Sequence, residues 1–447
     1  MKLTSFFSIL MLLTNLVAYD VLEAQGYGSS LGVSSSNVLI GQPGNRITPG
    51  IVYIYSKEQT GWEEMSRLTA SDAFPGDGFG SYIEVNGETV AISSVSTEAG
   101  AVYIFEKSTL GTWIETHQLS IHDLPSSAGF GQTISLGDNL VAVGAPGPVV
   151  SYHNPQSPET GAVYIFSRQE NQWRLTARLA SDVVGDGFGS SLIVKGNTVL
   201  VGAPYSEDTG IVYEFLKISD DWEKYREFRL PTGKPNDNFG TSLIVDKDQL
   251  LVSAPGHNLG EGSIFTFNLN SIEKNPRLAG RLLPFEGYHM SGFGSSLANS
   301  AGQVWIGSPN AQERQGLTYV LSGNDSQEWT SVKRLAPGHP ERGDAFGAMV
   351  AVANNLAVVG STGADYRTGV ANIFEYVNHQ WEQTGVVMGE VEGFEPVIGE
   401  KIECSGGQAS AFECEGFDLV SFMPVEDLAP RGVTVNDVWG WTDSETG

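Results

Sequence analysis

The chain has 447 residues and a formal charge of −27, with 25 Lys and Arg against 52 Asp and Glu. So large an acidic excess argues against nucleic acid or an anionic membrane as partner, and leaves cations, basic ligands or a saline exterior. The length exceeds one compact core unless that core grows by repetition, and 54 glycines without a collagen triplet, beside 10% aromatic residues, fit a turn-rich all-β protein.

Lys2 precedes an apolar run from Leu3 to Ala18. This reads as a secretory signal peptide over residues 1–24, cleaved near Ala18 or Ala24, with a retained signal anchor as the alternative. No later run has the length of a membrane span.

From there the chain repeats itself. An aromatic followed by glycine recurs at Tyr27, Phe79, Phe130, Phe188, Phe239, Phe293 and Phe346. Thirteen residues after each of those glycines stands a small residue: Gly41, Ser93, Gly144, Gly202, Ser253, Gly307 or Gly360. Constant spacing between them implies a tight hairpin in fixed register, and Asn86-Gly87, Gly137-Asp138 and Lys195-Gly196 supply its turn chemistry. A third apolar run follows (IVYIY at 51–55, AVYIF at 101–105 and at 162–166, IVYEF at 211–215, then weaker copies). A fourth carries Trp62, Trp113, Trp173, Trp222, Trp329 or Trp381, and unit five has no such Trp. Short alternating runs bounded by Gly, Asn and Pro predict strands, here named A to D in each unit. Seven four-stranded units of about fifty residues suit radial repetition, because a linear stack would leave two apolar sheet faces bare. The reading is all-β: a seven-bladed β-propeller over residues 25–388, each strand A opening at its aromatic-glycine pair.

Arg67-Leu-Thr-Ala-Ser-Asp72 and Gly76-Asp-Gly-Phe-Gly80 carry a resemblance. With their counterparts in the other units they resemble the FG-GAP repeat of integrin α-subunit heads and of many secreted proteins. The resemblance implies a secreted or cell-surface binding or adhesion module. It departs from the integrin pattern in one respect. The fixed A–B spacing leaves no room for an Asp-x-Asp-x-Asp-Gly calcium loop, of which Asp246 and Asp248 are the nearest remnant. No calcium is expected in those turns, and no cofactor elsewhere.

After Met388 the rhythm stops. Residues 389–403 read as an acidic linker, and 404–447 as a Cys-containing tail. Cys404 and Cys414 are expected to pair with each other, an intermolecular or free thiol being the alternative. Asp418–Phe422 and Asn436-Asp-Val-Trp-Gly-Trp-Thr-Asp443 resemble the start of the LVIVD-repeat propeller of choice-of-anchor surface proteins, which implies the front of a longer protein.

Chemistry-bearing motifs are sparse. Gly28-Ser-Ser-Leu-Gly32 has the spacing of a nucleophile elbow, but it lies in strand A and not at a strand-to-helix turn. Arg342-Gly-Asp344 repeats the Gly-Asp of Gly76-Asp77 and Gly185-Asp186, so only its arginine is new. The seven histidines show no metal-ligand spacing. No enzyme is expected. Two features point to binding. Acids recur in the D–A connections (Asp72, Asp77, Asp182, Asp186, Asp237, Asp344), where they would form an acidic ring or bond their own loops. The B–C gap of unit three is longer than the others and holds Tyr152, His153 and Asn154. D–A and B–C loops emerge on one face, so the ligand residues proposed from sequence are Tyr152, His153, Asn154, Asp77, Asp186 and Asp344. Asn324-Asp-Ser326 is the glycosylation sequon. A monomer binding an extracellular protein or glycan is the leading expectation. A secreted hydrolase of glycans or lipids, or a structural spacer, is the alternative.

Overall fold

The computed structural model describes residues 26–421 apart from 35, 45–47, 97–98, 149–159, 285–289, 324–328, 366, 390–396, 399–400, 406–407, 410–411 and 415–417. The signal-peptide stretch, Tyr152, His153, Asn154, the Asn324 sequon and the tryptophans of the tail therefore lie outside the described residues.

Seven antiparallel sheets each take four consecutive strands, from Leu31–Val33 in blade 1 to Gln380–Met388 in blade 7. The A strands form the inner wall, each beside the next, and the seventh lies beside the first. The wheel closes by packing: Tyr27, Leu31 and Tyr53 of blade 1 share one apolar cluster with Val358, Ala371 and Ile373 of blade 7. Strands B are buried beyond their first residue, while D strands alternate toward solvent, as in Trp113–Leu119. Beyond the ring, Cys404 and Cys414 are joined in a disulfide, beside a two-stranded pair formed by Gln408–Ala409 and Phe412–Glu413.

The aromatic-glycine pair is a turn before it is a strand. In all seven blades the residue before the aromatic accepts a hydrogen bond from the residue two places after it, as Gly78 does from Ser81 at 3.2 Å. The glycine after the aromatic has φ between 77° and 96°, which a type II turn demands at that place. The sequence-based start of strand A is thus corrected in blades 1, 3, 4, 5 and 6, where the strand begins beyond the pair. This turn drives the ring inward, where Phe79, Phe130, Phe239, Phe293 and Phe346 are wholly buried. Each packs edge-on against its own strand C, as Phe79 does on Tyr103 at 5.6 Å. Full burial of one such ring is worth ~1.5–3 kcal/mol.

The joint between blades is a backbone contact that only glycine permits. A Cβ on Gly50, Gly100, Gly161, Gly210, Gly262, Gly316 or Gly369, each at the start of a strand C, would overlap the carbonyl oxygen of the next blade's aromatic. For Gly369 that next aromatic is Tyr27, so the seam between the last and first blades is built like the rest. Hydroxyls reinforce it. Thr133, Ser191 and Ser296 donate to Gly189, Gly240 and Gly347 carbonyls at 2.6, 2.6 and 2.9 Å. Ser30 donates to Gly80 in the same way, which gives the elbow-like Gly28–Gly32 motif a structural role.

Candidate functional site

The D–A and B–C loops share one face because the chain staples them together. Gly76 N–H donates to the Thr48 carbonyl, Phe239 N–H to Thr209, Gly292 N–H to Gly260, and Ala345 N–H to Arg314, at 2.8–3.1 Å. The recurring aspartates belong to this stapling. Asp77 Oδ1 accepts from Gly50 N–H at 2.8 Å and from Phe79 N–H at 3.0 Å, tying a blade-1 loop to the blade-2 turn. Asp186 accepts from Phe188 N–H and from the Ser181 hydroxyl. Asp237 and Asp344 accept from Lys234 and Glu341 N–H groups at 2.8 and 2.7 Å. Burial raises the Asp186 carboxyl above its ordinary range, against the pull of those two hydrogen bonds.

Asp77, Asp186 and Asp344 are therefore brought to the expected face but turned into it, with 1%, 1% and 9% of their surface exposed. They do not make an open acidic ring. Their carboxylates order the loops, as an Asx-type side chain does when backbone N–H groups lie within reach. In Arg342-Gly-Asp344 the arginine is open to solvent and stands 3.7 Å from Glu313, while the aspartate is enclosed, so the tripeptide is not presented as a unit. Asp72 is exposed and accepts from the Tyr103 hydroxyl at 2.7 Å; burial, with that carboxylate beside it, pushes the phenol up.

What the face does offer was not read from sequence. Among the described residues three B–C loops rise as tips holding consecutive left-handed side-chain-bearing residues: Glu207-Asp208, Asn258-Leu259 and Gln312-Glu313-Arg314. Leu259 has φ 61° and is 88% exposed; Met290, on the adjoining D–A turn, has φ 57° and is 71% exposed. A branched apolar side chain in this region costs ~1–2 kcal/mol and gains nothing from burial here. The tip is held from beneath by Gly260 N–H to Gly256 O and Gly262 N–H to His257 O, both 3.0 Å. The His257 ring stands edge-on to Phe265, with Nδ1 3.1 Å from Asp237. Tyr205, on the blade-4 tip, is also exposed.

The opposite face carries a cleft of about 260 Å³ between blades 2 and 3, lined by Asn86, Thr89, Asp138, Arg168 and Trp173. Its charges are already matched: Arg168 pairs with Glu106 at 2.9 Å and Asn86 donates to Asp138 at 3.2 Å. Nearby on the inner wall, Glu84 accepts a backbone hydrogen bond from Leu136, and burial pushes its carboxyl up to about 8. Among the described residues no three His, Cys, Asp or Glu gather to hold a metal ion, and no helix is long and apolar enough to cross a membrane.

The FG-GAP repeat pattern matches residues 62–105 and 329–374. Each match runs from a strand D through the strand C of the next blade, so the sequence unit straddles the glycine joint. Human integrin alpha-X is 24% identical over 230 residues, which are 46% of this chain and 19% of that protein; the chain thus matches about a fifth of its relative's length. Among solved structures, the periplasmic gluconolactonase PpgL of Pseudomonas aeruginosa has a TM-score of 0.52 at 12% identity, over 79% of this chain and 96% of that one. A protein described as a 6-phosphogluconolactonase from Bacteroides uniformis has a TM-score of 0.51 at 9% identity, over 75% and 92%. These neighbours correct the exclusion of catalysis drawn from sequence. Proteins described as lactonases have the same wheel, so an unmatched motif is no ground for excluding an enzyme. At such identities the likeness extends to the fold alone.

Proposed function

We propose that this chain, a seven-bladed propeller of FG-GAP repeats, is an extracellular or cell-surface module that takes a protein or glycan on its D–A/B–C face. The apolar run at residues 3–18 and the likeness to integrin alpha-X support the location. The observation that carries the binding role is Leu259. An exposed leucine is held in a left-handed backbone by a stapled loop, at a site where asparagine or glycine would be more stable. Strain kept on a rigid, solvent-facing tip, next to exposed Met290, marks a surface shaped for contact.

The experiment is an array of glycans and cell-surface proteins probed with the full chain, followed by the Leu259→Asn variant on every hit. Asparagine suits the backbone, so the variant melts no lower than the parent. Binding falls roughly tenfold if the tip is an anchor. Unchanged binding would remove the tip from the contact. A parallel assay with sugar lactones tests the hydrolase alternative directly.

A further inference from the structure

Blade 5 differs from its six neighbours on the outer rim, and the difference has a consequence for partners. Its strand D, Leu278–Leu282, is five residues long, lacks the tryptophan, and reads Leu-Ala-Gly-Arg-Leu. One edge pairs with Ser263–Asn268; the other edge pairs with no strand among the described residues. Outer strands of other blades carry a tryptophan and bulky charged side chains such as Glu63, Glu64, Arg174 and Glu223, which discourage edge-to-edge pairing. Here small Ala279 and Gly280 leave the backbone accessible.

The surroundings add chemistry. Ile272 is 88% exposed, and Leu278, which opens the strand, and Leu283, just beyond it, are exposed as well. In a molecule of charge −27, the segment from Ile272 to Leu283 has three bases, Lys274, Arg277 and Arg281, against the single acid Glu273. The Arg277 side chain is 90% exposed, and its ion pair with Glu273 is a long one at 3.9 Å. The preceding loop is fixed in place: buried Arg226 of blade 4 donates to the carbonyls of Leu269, at 2.8 Å, and Ser271, and Glu227 N–H donates to Lys274 O. An open strand edge and, in the loop that leads into it, exposed apolar and basic side chains thus share one short stretch of chain whose start is tied to blade 4.

We propose that the outer edge of blade 5 docks an extended acidic peptide segment of a partner protein by strand addition. Main-chain hydrogen bonds supply affinity, Ile272 and Leu278 receive alternate apolar side chains, and Lys274 and Arg277 select acids over bases. The site is separate from the loop face and stands whether or not that face binds.

The test is fluorescence anisotropy with the full chain and two fluorescein-labelled decapeptides, one alternating Glu and Val and the other Lys and Val. The acidic peptide binds, more weakly as salt rises, and the basic one does not. Replacing two exposed side chains, Lys274→Glu with Arg277→Glu, lowers binding of the acidic peptide about tenfold or more while leaving the circular dichroism unchanged. Hydrogen exchange then slows at residues 278–282 on peptide addition, and not at the 257–260 tip. Equal binding of both peptides, indifference to the double charge reversal, or protection elsewhere would overturn the proposal. So would a dimer in sedimentation that the same double variant dissolves, since the edge would then belong to a second copy.

Discussion

Two joints of the wheel solve one packing problem with opposite chemistry. Between blades 2 and 3 the filling is apolar: Ala91, Val102, Ile104 and Leu119 meet Phe130, Tyr164, Phe166 and Trp173. Between blades 4 and 5 there is no tryptophan to place. The space is taken from the other side, by Phe228, which packs on Phe267 at 5.3 Å, and by Arg226 paired with Glu214. Glu214 occupies the strand-C position held by Ile54, Ile104 and Ile165 elsewhere, and Arg226 faces it across the ladder where blade 7 has Gly385. At Gly385 a Cβ would crowd the Trp62 ring, which shows where the missing tryptophan of blade 5 would have stood. The joint tolerates either a large aromatic from the following blade or a bonded ion pair from the preceding one. It does not tolerate a gap.

The largest effect is common to both joints. Gly210→Ala places a Cβ on the Phe239 carbonyl at a residue with φ 97°, and neither filling can relieve it. A loss of more than about 4 kcal/mol in urea unfolding is expected. Arg226→Ala comes next, at ~3–5 kcal/mol, because it leaves the enclosed Glu214 carboxyl without its ion-pair partner and frees two half-buried carbonyls. Trp173→Ala should cost a similar ~3–5 kcal/mol, by leaving a cavity. The two part company under a second change: adding Glu214→Ile to Arg226→Ala recovers most of the loss in a double-mutant cycle, whereas no single partner change rescues Trp173→Ala. Failure of that rescue would show that the carbonyl contacts, and not the charge, hold the joint.

A weaker effect separates the blade 2/3 joint by pH. Glu84 has a folded pKa of about 8 against an ordinary 4.5, so the folded chain keeps a proton that the unfolded chain releases. This contribution is complete below about pH 4.5 and is lost as pH rises through about 8. Glu84→Gln should flatten the fall in melting temperature across that window. The smallest change is Ala345→Gly. Ala345 holds, at φ 56°, the place that is Gly26, Gly78, Gly129, Gly187 and Gly292 in other blades, and replacement should gain ~1 kcal/mol.

Much of the wheel was legible because its parts recur. Seven aromatics, seven glycines and a fixed interval specify strand number, hairpin register and closure before any coordinate is known. The aromatic-glycine pair was misjudged as strand because alternation does not reveal a φ near +90° within it. The aspartates were legible as a repeated feature but not in direction, since exposure depends on backbone N–H groups contributed by a loop some 27 residues away, as for Gly50 and Asp77. Glu214 in place of isoleucine was visible, yet its pairing with Arg226 depends on a bulge that shifts the strand C–D register between Glu214 and Phe215. The left-handed tip at Leu259 had no compositional signal, because leucine is not among the residues that favour that backbone.

The joint between the last and first blades has a topological corollary. Blade 1 is complete without a strand from the C-terminal side, and Gly389 ends against the Tyr27 ring. The two ends of the ring, at Tyr27 and Gly389, therefore meet at a joint with the same glycine contact as the other six. A circular permutant that links those ends through a short flexible insert, and opens instead at Lys195-Gly196, would have the same wheel to build and the same contacts to find.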